Sequence, residues 1–333
     1  MSGQGSLRWG IMGCARITRR GLIPGIRASR TGTLVGLASR DLSTARAWAD
    51  EFSIPKVYDS YQALVEDPEI DAVYIPLPNE LHRPWVLRAA EAHKHVLCEK
   101  PLALDATEAA ELVDACRRQG VLLMEAFMWR HQPRTAELLK LVGSGVIGEL
   151  RLIRSSFSFP IDLADWRLDK KRGGGALFDV GCYGVSTARF FAQGEPTRLS
   201  ALAHLSAGGV DLSLSATLQF PGGTLAAIDC SFEQPFRCTY ELVGSHGVIE
   251  VPDAYLPPEK GKPTALLRTS DPNGGAGKIE TITFDASDQY GAMVDAFATS
   301  VTAGSLVAPA EDGLAQMAVL DRIKSAVAQK EVC

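Results

Sequence analysis

Over the first ~125 residues, short apolar runs alternate with longer stretches in which apolar positions recur every three or four residues. The runs Leu7–Ile11, Leu34–Ala38, Ala72–Ile75, His95–Cys98 and Val121–Met124 are predicted strands, and Leu42–Phe52, Leu81–Ala92 and Asp105–Arg118 are predicted helices. Continuous apolar strands joined by crossover helices form a parallel sheet covered on both faces, so this part of the chain predicts a doubly wound α/β fold. Pro76, Pro78 and Pro101 fall just beyond strand ends, where a residue without an N–H marks the start of a loop.

The rhythm changes at about Leu150. Apolar and β-branched runs at Leu150–Phe159, Arg198–His204, Asp211–Phe220, Thr224–Phe232, Cys238–Gly244 and Gly247–Val251 follow each other closely, the pattern of a mainly antiparallel sheet. The segments Phe220–Thr224 and Gly244–Gly247 punctuate it as hairpin turns, and Pro257–Pro263 and Asp271–Gly277 read as exposed loops. Helical patterns at Tyr290–Val301 and Glu311–Ala328 close the chain. The division predicted is the doubly wound α/β domain over 1–125, an α+β domain with the mainly antiparallel sheet over 126–290, and C-terminal helices over 291–333 that pack back on the fold.

Composition narrows the function. With 22% charged residues, a net charge of −5 and no basic stripe, the chain is an ordinary globular protein and a poor partner for nucleic acid. No apolar run approaches the ~18 residues of a membrane helix, and Met1–Arg8 is not a signal peptide, so a cytoplasmic protein is expected. Seven cysteines, at 14, 98, 116, 182, 230, 238 and 333, never form a CxxC pair, and six histidines form no cluster. Reduced thiols and no metal are the expectation.

A dinucleotide site is the first candidate chemistry. Gly10, Gly13, Cys14, Ala15, Arg16 and Ile17 follow the first strand directly and open a helix. In a Rossmann fold that context brings a pyrophosphate to a helix N-terminus, although Ala15 and Thr18 stand where GxGxxG has glycines. The second strand ends in Ser39, Arg40 and Asp41. A cation there pairs with a 2′-phosphate and favours NADP(H), while Asp41 leaves NAD(H) open. Leu77, Asn79 and His82 follow the strand Ala72–Ile75, at the carboxyl edge where ligands of such sheets collect.

Further chemistry lies at Gly173-Gly174-Gly175 followed by Asp179, Gly181 and Tyr183. A carboxylate and a phenol four residues apart share one face if the segment is helical. Hydride transfer at a secondary alcohol or ketone needs one acid/base, and Tyr183 suits that role if a cation favours its phenolate. Lys100 is the candidate cation and a hydrogen-bond donor to the substrate oxygen, with Asp179 orienting the substrate hydroxyl or the lysine.

The glycine turn, Pro-Leu-Pro-Asn79-Glu-Leu-His82, Glu99-Lys100-Pro101, Glu125-Ala-Phe-Met-Trp129-Arg130 and Gly173-Gly-Gly-Ala-Leu-Phe-Asp179-Val-Gly181-Cys-Tyr183 occur in this order. Together they make the chain resemble the glucose-fructose oxidoreductase/inositol dehydrogenase/MocA family over nearly its whole length. The resemblance implies an NAD(P)-dependent oxidoreductase of a sugar or polyol, acting on a secondary alcohol, a ketone or aldose C1, with an NAD(P)-binding Rossmann domain, an open-faced second sheet, and a homodimer or homotetramer formed through that sheet. Tyr183 stands where most of the family has histidine, which implies the branch of sugar dehydrogenases, dihydrodiol dehydrogenases and 3-ketosugar reductases, mostly NADP-dependent. It further implies a cis Lys100–Pro101 peptide, substrate contacts from Lys100, Arg130, Asp179 and Tyr183, and cofactor or substrate contacts from Glu99, Trp166, Arg167 and Tyr290. Without the leader of the exported member, free cofactor exchange is expected. A non-catalytic dinucleotide sensor is the rival reading.

Overall fold

The computed structural model describes residues 6–257, 261–270, 277–304 and 309–329. Parts of the two expected loops, 258–260 and 271–276, and Cys333 lie outside the described residues. The chain forms two compact units, Met1–His131 with Asp288–Met317, and Gln132–Ser287 with Ala318–Cys333. The break thus comes at 131 where the sequence pattern suggested 125, and the C-terminal stretch is shared between both units. Neither helical ends nor linker composition mark that sharing, because the last helix runs through the division unbroken.

In the first unit, β1 (Leu7–Met12), β2 (Gly32–Ala38), β3 (Lys56–Tyr58), β4 (Ala72–Ile75), β5 (His95–Cys98) and β6 (Leu123–Glu125) form a sheet in the order β3-β2-β1-β4-β5-β6. Every pairing is parallel. All four residues of β4 are buried, as a strand covered on both faces requires. The helices are α1 (Ile23–Ala28), α2 (Leu42–Glu51), α3 (Tyr61–Glu66), α4 (His82–Glu91) and α5 (Ala106–Gln119), with α8 (Gln289–Ala303) returning to this unit. Asp105 starts α5 by accepting from the Glu108 amide at 2.8 Å, and Gly120 ends it in the left-handed region at φ 67°. The sequence pattern did not reveal β3 or α3, of three and six residues and too short to show a period, whereas the helix expected after the glycine turn runs through Thr18–Leu22 into α1.

The second unit holds α6 (Pro133–Gly143), β7 (Leu150–Ser158), α7 (Cys182–Ala192) and β8 to β14: Arg198–Leu205, Asp211–Gln219, Leu225–Ser231, Arg237–Gly244, Gly247–Val251, Thr264–Thr269 and Ile279–Thr283. The eight strands run β14-β13-β12-β11-β7-β10-β9-β8, antiparallel except for β7 with β10. The last two strands were not predicted. α9 (Ala310–Ala328) begins in the first unit and ends in this one.

α7 lies directly on the sheet because glycine faces it. A Cβ at Gly184 would stand 2.5 Å from Ile228 Cγ2 on β10, and one at Gly181 would stand 2.8 Å from Cys230 Sγ. Beneath the helix, the Tyr255 hydroxyl is bonded at 2.8 Å to both Ser155 and Thr187, so this buried phenol is satisfied. Leu202, Leu225 and Ile279, on the face of the sheet away from α7, are exposed by 72%, 40% and 65%, the open face that the family resemblance implies.

Arg134 of α6 is a buried cation of this unit, 2% exposed. Its guanidinium donates to the carbonyls of Pro252, Thr264, Asp253 and Ala254 at 3.3, 3.5, 3.1 and 2.7 Å, tying the chain after β12 to the start of β13. Burial pushes its pKa below the usual arginine value, but the four carbonyl dipoles keep it in place. Arg134→Met removes every donor from these carbonyls and should cost about 3 kcal/mol or more of stability, measured by denaturant unfolding. Arg134→Lys, which keeps charge without the fork, should recover part of it.

Candidate active site

The first unit assembles the expected dinucleotide residues after β1. Gly13 has φ +107°, and a Cβ on it would press against Leu77 at 3.0 Å, so only glycine leaves this turn open. Its amide donates to the Ala38 carbonyl at 2.7 Å, which sets the turn beside the end of β2. Cys14, Ala15 and Ile17 are half-buried and Arg16 is exposed, at the start of a helix whose second turn, Thr18–Leu22, is π-wound. Burial raises the Cys14 thiol pKa, opposed by a hydrogen bond with Ser39. The helix packs closely on Tyr290: a Cβ at Gly21 or Gly25 would lie 2.5 or 2.6 Å from that side chain.

Asp41 is committed elsewhere. As the cap of α2 its carboxylate accepts from the Ser43 amide and hydroxyl at 2.9 and 2.7 Å and from the Thr44 amide and hydroxyl at 3.3 and 2.6 Å. These bonds, the Thr44 hydroxyl first, hold its pKa at about 2. Arg40 is exposed and hydrogen-bonded with Tyr61, whose hydroxyl lies 3.5 Å from where a Gly13 Cβ would be. Tyr61 carried no motif in the sequence; only the fold brings it to the glycine turn. A glycine cradle, a helix start and an exposed cation beside an acid engaged as a helix cap fit a dinucleotide with an extra phosphate.

The lysine turn is built from the same unit. Lys100–Pro101 is cis, as the resemblance implied, and Glu99 accepts from the Tyr74 hydroxyl at 2.5 Å and from the Lys100 amide at 3.3 Å. The Leu102 amide donates to Glu125 at 3.0 Å. His82, expected as a cofactor neighbour, has no exposed surface: its ring nitrogens lie 2.9 and 2.8 Å from the carbonyls of Pro101 and Leu77. That reading is corrected here. The residue packs between the lysine turn and the loop after β4, and burial lowers its pKa against the opposing bonds of Leu77, Pro101 and Leu102. Asn79 is 7% exposed and opens the short helical turn Asn79–Leu81 in that loop.

Arg130, expected to meet substrate, is paired with Asp312 of α9 and lies 5.5 Å from the Phe127 ring centroid, with its side chain 12% exposed. Its neighbour His131 is pushed down to about 4 by burial.

In the second unit the triple-glycine run leads into a π turn, Leu177–Gly181, and then α7. Arg167 donates to Asp179 at 2.6 Å and to both oxygens of Asp165 at 3.0 and 2.8 Å, and the three side chains are only 20%, 18% and 10% exposed. The carboxylates raise the guanidinium pKa against the effect of burial. Trp166 carries the Arg172 guanidinium 5.2 Å from its ring. Tyr183 is 6% exposed, wedged between Phe157 and Tyr255 with ring centroids at 5.5 and 4.8 Å. The ring is held by aromatic contacts to both neighbours.

Within each unit, then, the predicted residues gather into a glycine-turn cluster with a lysine turn, and into an Arg167–Asp179 pair followed by Tyr183. Among the described residues, no group of three or more metal-ligating side chains comes together.

Comparison with known proteins agrees with both halves. Residues 7–127 match the family model described as an oxidoreductase family with an NAD-binding Rossmann fold, and 135–250 match the corresponding GFO/IDH/MocA C-terminal domain. The chain is 40% identical over 321 residues to D-xylose 1-dehydrogenase (NADP(+)) 2 of Haloferax volcanii, covering 95% of this chain and 96% of that protein. It is 39% identical over 301 residues to dTDP-3,4-didehydro-2,6-dideoxy-alpha-D-glucose 3-reductase of Saccharopolyspora spinosa, covering 90% and 89%. A 3-ketoreductase from Actinomadura kijaniata, solved with NADP and TDP-benzene, superimposes with a TM-score of 0.89 at 32% identity over 97% of this chain and 98% of that one. Matched along both domains and by full-length relatives, the chain belongs to the glucose-fructose oxidoreductase/inositol dehydrogenase/MocA family of oxidoreductases.

Proposed function

We propose that this protein is an NADP(H)-dependent oxidoreductase that moves a hydride to or from a secondary alcohol, ketone or aldose C1 of a sugar or polyol. The observation that carries the reading is the turn from Gly173 to Tyr183, where a guanidinium-held carboxylate precedes a phenol locked by aromatic rings. The relatives' names point the same way, one to an aldose oxidised at C1 and another to a ketosugar reduced at C3. When bound, the nicotinamide supplies or accepts the hydride.

Tyr183 Oη gives the proton to the nascent alkoxide in reduction and takes it from the hydroxyl in oxidation. Lys100 Nζ donates a hydrogen bond to the same substrate oxygen and stabilises its negative charge. Asp179, kept ionised and oriented by Arg167, accepts from a neighbouring substrate hydroxyl. Gly13 and the helix start would hold the pyrophosphate, and Ser39 and Arg40 the 2′-phosphate, with the Asp41 carboxylate turned to the amides and hydroxyls that it caps. The described cysteines are all free thiols, in keeping with a reducing, cytoplasmic setting. The open sheet face suits a homodimer or homotetramer.

Tyr183→Phe should lower turnover by about 10²- to 10⁴-fold while the cofactor still binds, measured by NADPH oxidation and NADP reduction across aldoses, polyols and 3-ketosugars. Lys100→Met should be at least as damaging; full activity in either variant removes that residue from the mechanism. Tight NADP binding with no turnover by the native protein would favour the sensor reading. Arg40→Asp should weaken NADPH binding by about 10- to 100-fold and leave NADH binding nearly unchanged, read by fluorescence titration. Light scattering should give a dimer or tetramer, and a monodisperse monomer would reject the assembly.

A further inference from the structure

Asp211 opens β9 and belongs to no motif in the sequence. Its carboxylate accepts from the Leu177 amide at 2.6 Å, at the first residue of the π turn that carries Asp179. The amides at a helix start have no partner within the helix, and an anion there also faces the positive end of the helix dipole. Gly175 makes the approach possible: it has φ +126°, and a Cβ on it would stand 2.1 Å from Asp211 Oδ1. The last glycine of the triple run is therefore the seat of this carboxylate.

We infer that Asp211 is a positioning residue for the hydride-transfer reaction, its carboxylate fixing the turn from which Asp179 and Tyr183 project. This rests on the reading of those two residues as the reacting groups. Asp211 touches neither of them; it acts through the Leu177 amide and the Gly175 backbone.

Energetics favour a role in the reaction over one in folding. Burial pushes the Asp211 pKa up to about 6, against the pull of the Leu177 amide, its own amide and the Lys324 ammonium. A folded-state pKa above the unfolded value means that the folded protein binds the extra proton between the two, so stability falls as pH rises through that window. At neutral pH the ionised group thus costs stability, as a purely structural anchor would not. The charged or titratable groups facing it are Lys324 of α9, whose Nζ lies 4.4 Å from the Phe178 ring centroid, and the Cys230 thiol of β10. Cys230 is held protonated by burial and does not titrate in this range.

The test is Asp211→Asn, which keeps the shape but turns an NH₂ donor toward a site that presents two amide donors. At pH 7.5 the variant should have a Tm equal to or above that of the native protein, a kcat lower by about tenfold or more, and a KM for NADP(H) within about twofold. Lowering the pH from 7 to 5 should raise the Tm of the native protein relative to the variant. Gly175→Ala, which displaces the carboxylate without removing it, should give the same loss of kcat. Unchanged kcat in Asp211→Asn, or a Tm that falls together with kcat, overturns the inference, the latter because it marks a purely structural prop. Amide exchange at Leu177 separates this inference from the functional reading. If the native protein turns over no substrate, faster exchange in Asp211→Asn still supports the anchor, and unchanged exchange rejects it.

Discussion

Arg167 stands between two carboxylates, Asp165 on its own loop and Asp179 on the turn before α7, and the rest of the substrate end is arranged around that contact. Three charges at 10% to 20% side-chain exposure are tolerable only as a paired group, since any one of them left alone would be an unsolvated ion. The pairing holds Asp179 ionised and in one orientation. It also folds the segment from Asp165 to Gly175 back on itself, where Gly174 and Gly175 donate to the carbonyls of Asp169 and Arg167 at 3.0 and 2.9 Å. A Cβ at Gly174 would stand 2.3 Å from the Arg167 carbonyl oxygen, so the glycines are the spatial condition for the ion pair.

The same logic runs through the nucleotide end, where close backbone approach replaces side-chain bulk. Gly13 clears the turn and Gly21 and Gly25 let Tyr290 settle on the following helix. Charge is distributed so that acids near the site are used up by their own chain: Asp41 by hydroxyls and amides, Glu99 by a tyrosine and an amide. Arg40 remains on the surface beside them. A site prepared in this way would meet an anionic cofactor with amides and cations, its nearby carboxylates turned to partners of their own chain.

Both halves show π-wound turns at the start of the helix that follows a glycine motif, Thr18–Leu22 and Leu177–Gly181. Such turns insert a residue into the helical ladder and change the direction in which side chains leave it, and they collect at functional sites. The i, i+4 spacing of Asp179 and Tyr183 therefore predicts a shared face only approximately. Asp179 leaves from the wide turn and Tyr183 from regular α-helix.

Periodicity and motif order determined the class of each sheet, the helices α2, α4, α5, α8 and α9, the glycine turn, the lysine turn and the spacing of Asp179 and Tyr183, because each depends on local pattern or on residues adjacent in the chain; α6, β13 and β14 were not read from it. Short elements such as β3 and α3 escaped, being too brief to carry a period. What a given polar side chain touches was decided by tertiary structure alone. His82 looked like a ligand-facing loop residue and proved to be fully buried on two carbonyls; Arg130 looked free for substrate and is paired with Asp312, 182 positions away. Asp211 and Tyr61 carried no signal, since their roles come from strands and helices that bring them to a backbone turn distant in sequence. Local sequence sets conformational preference, whereas the partner of a buried charge is whichever group the folded chain delivers within hydrogen-bonding distance.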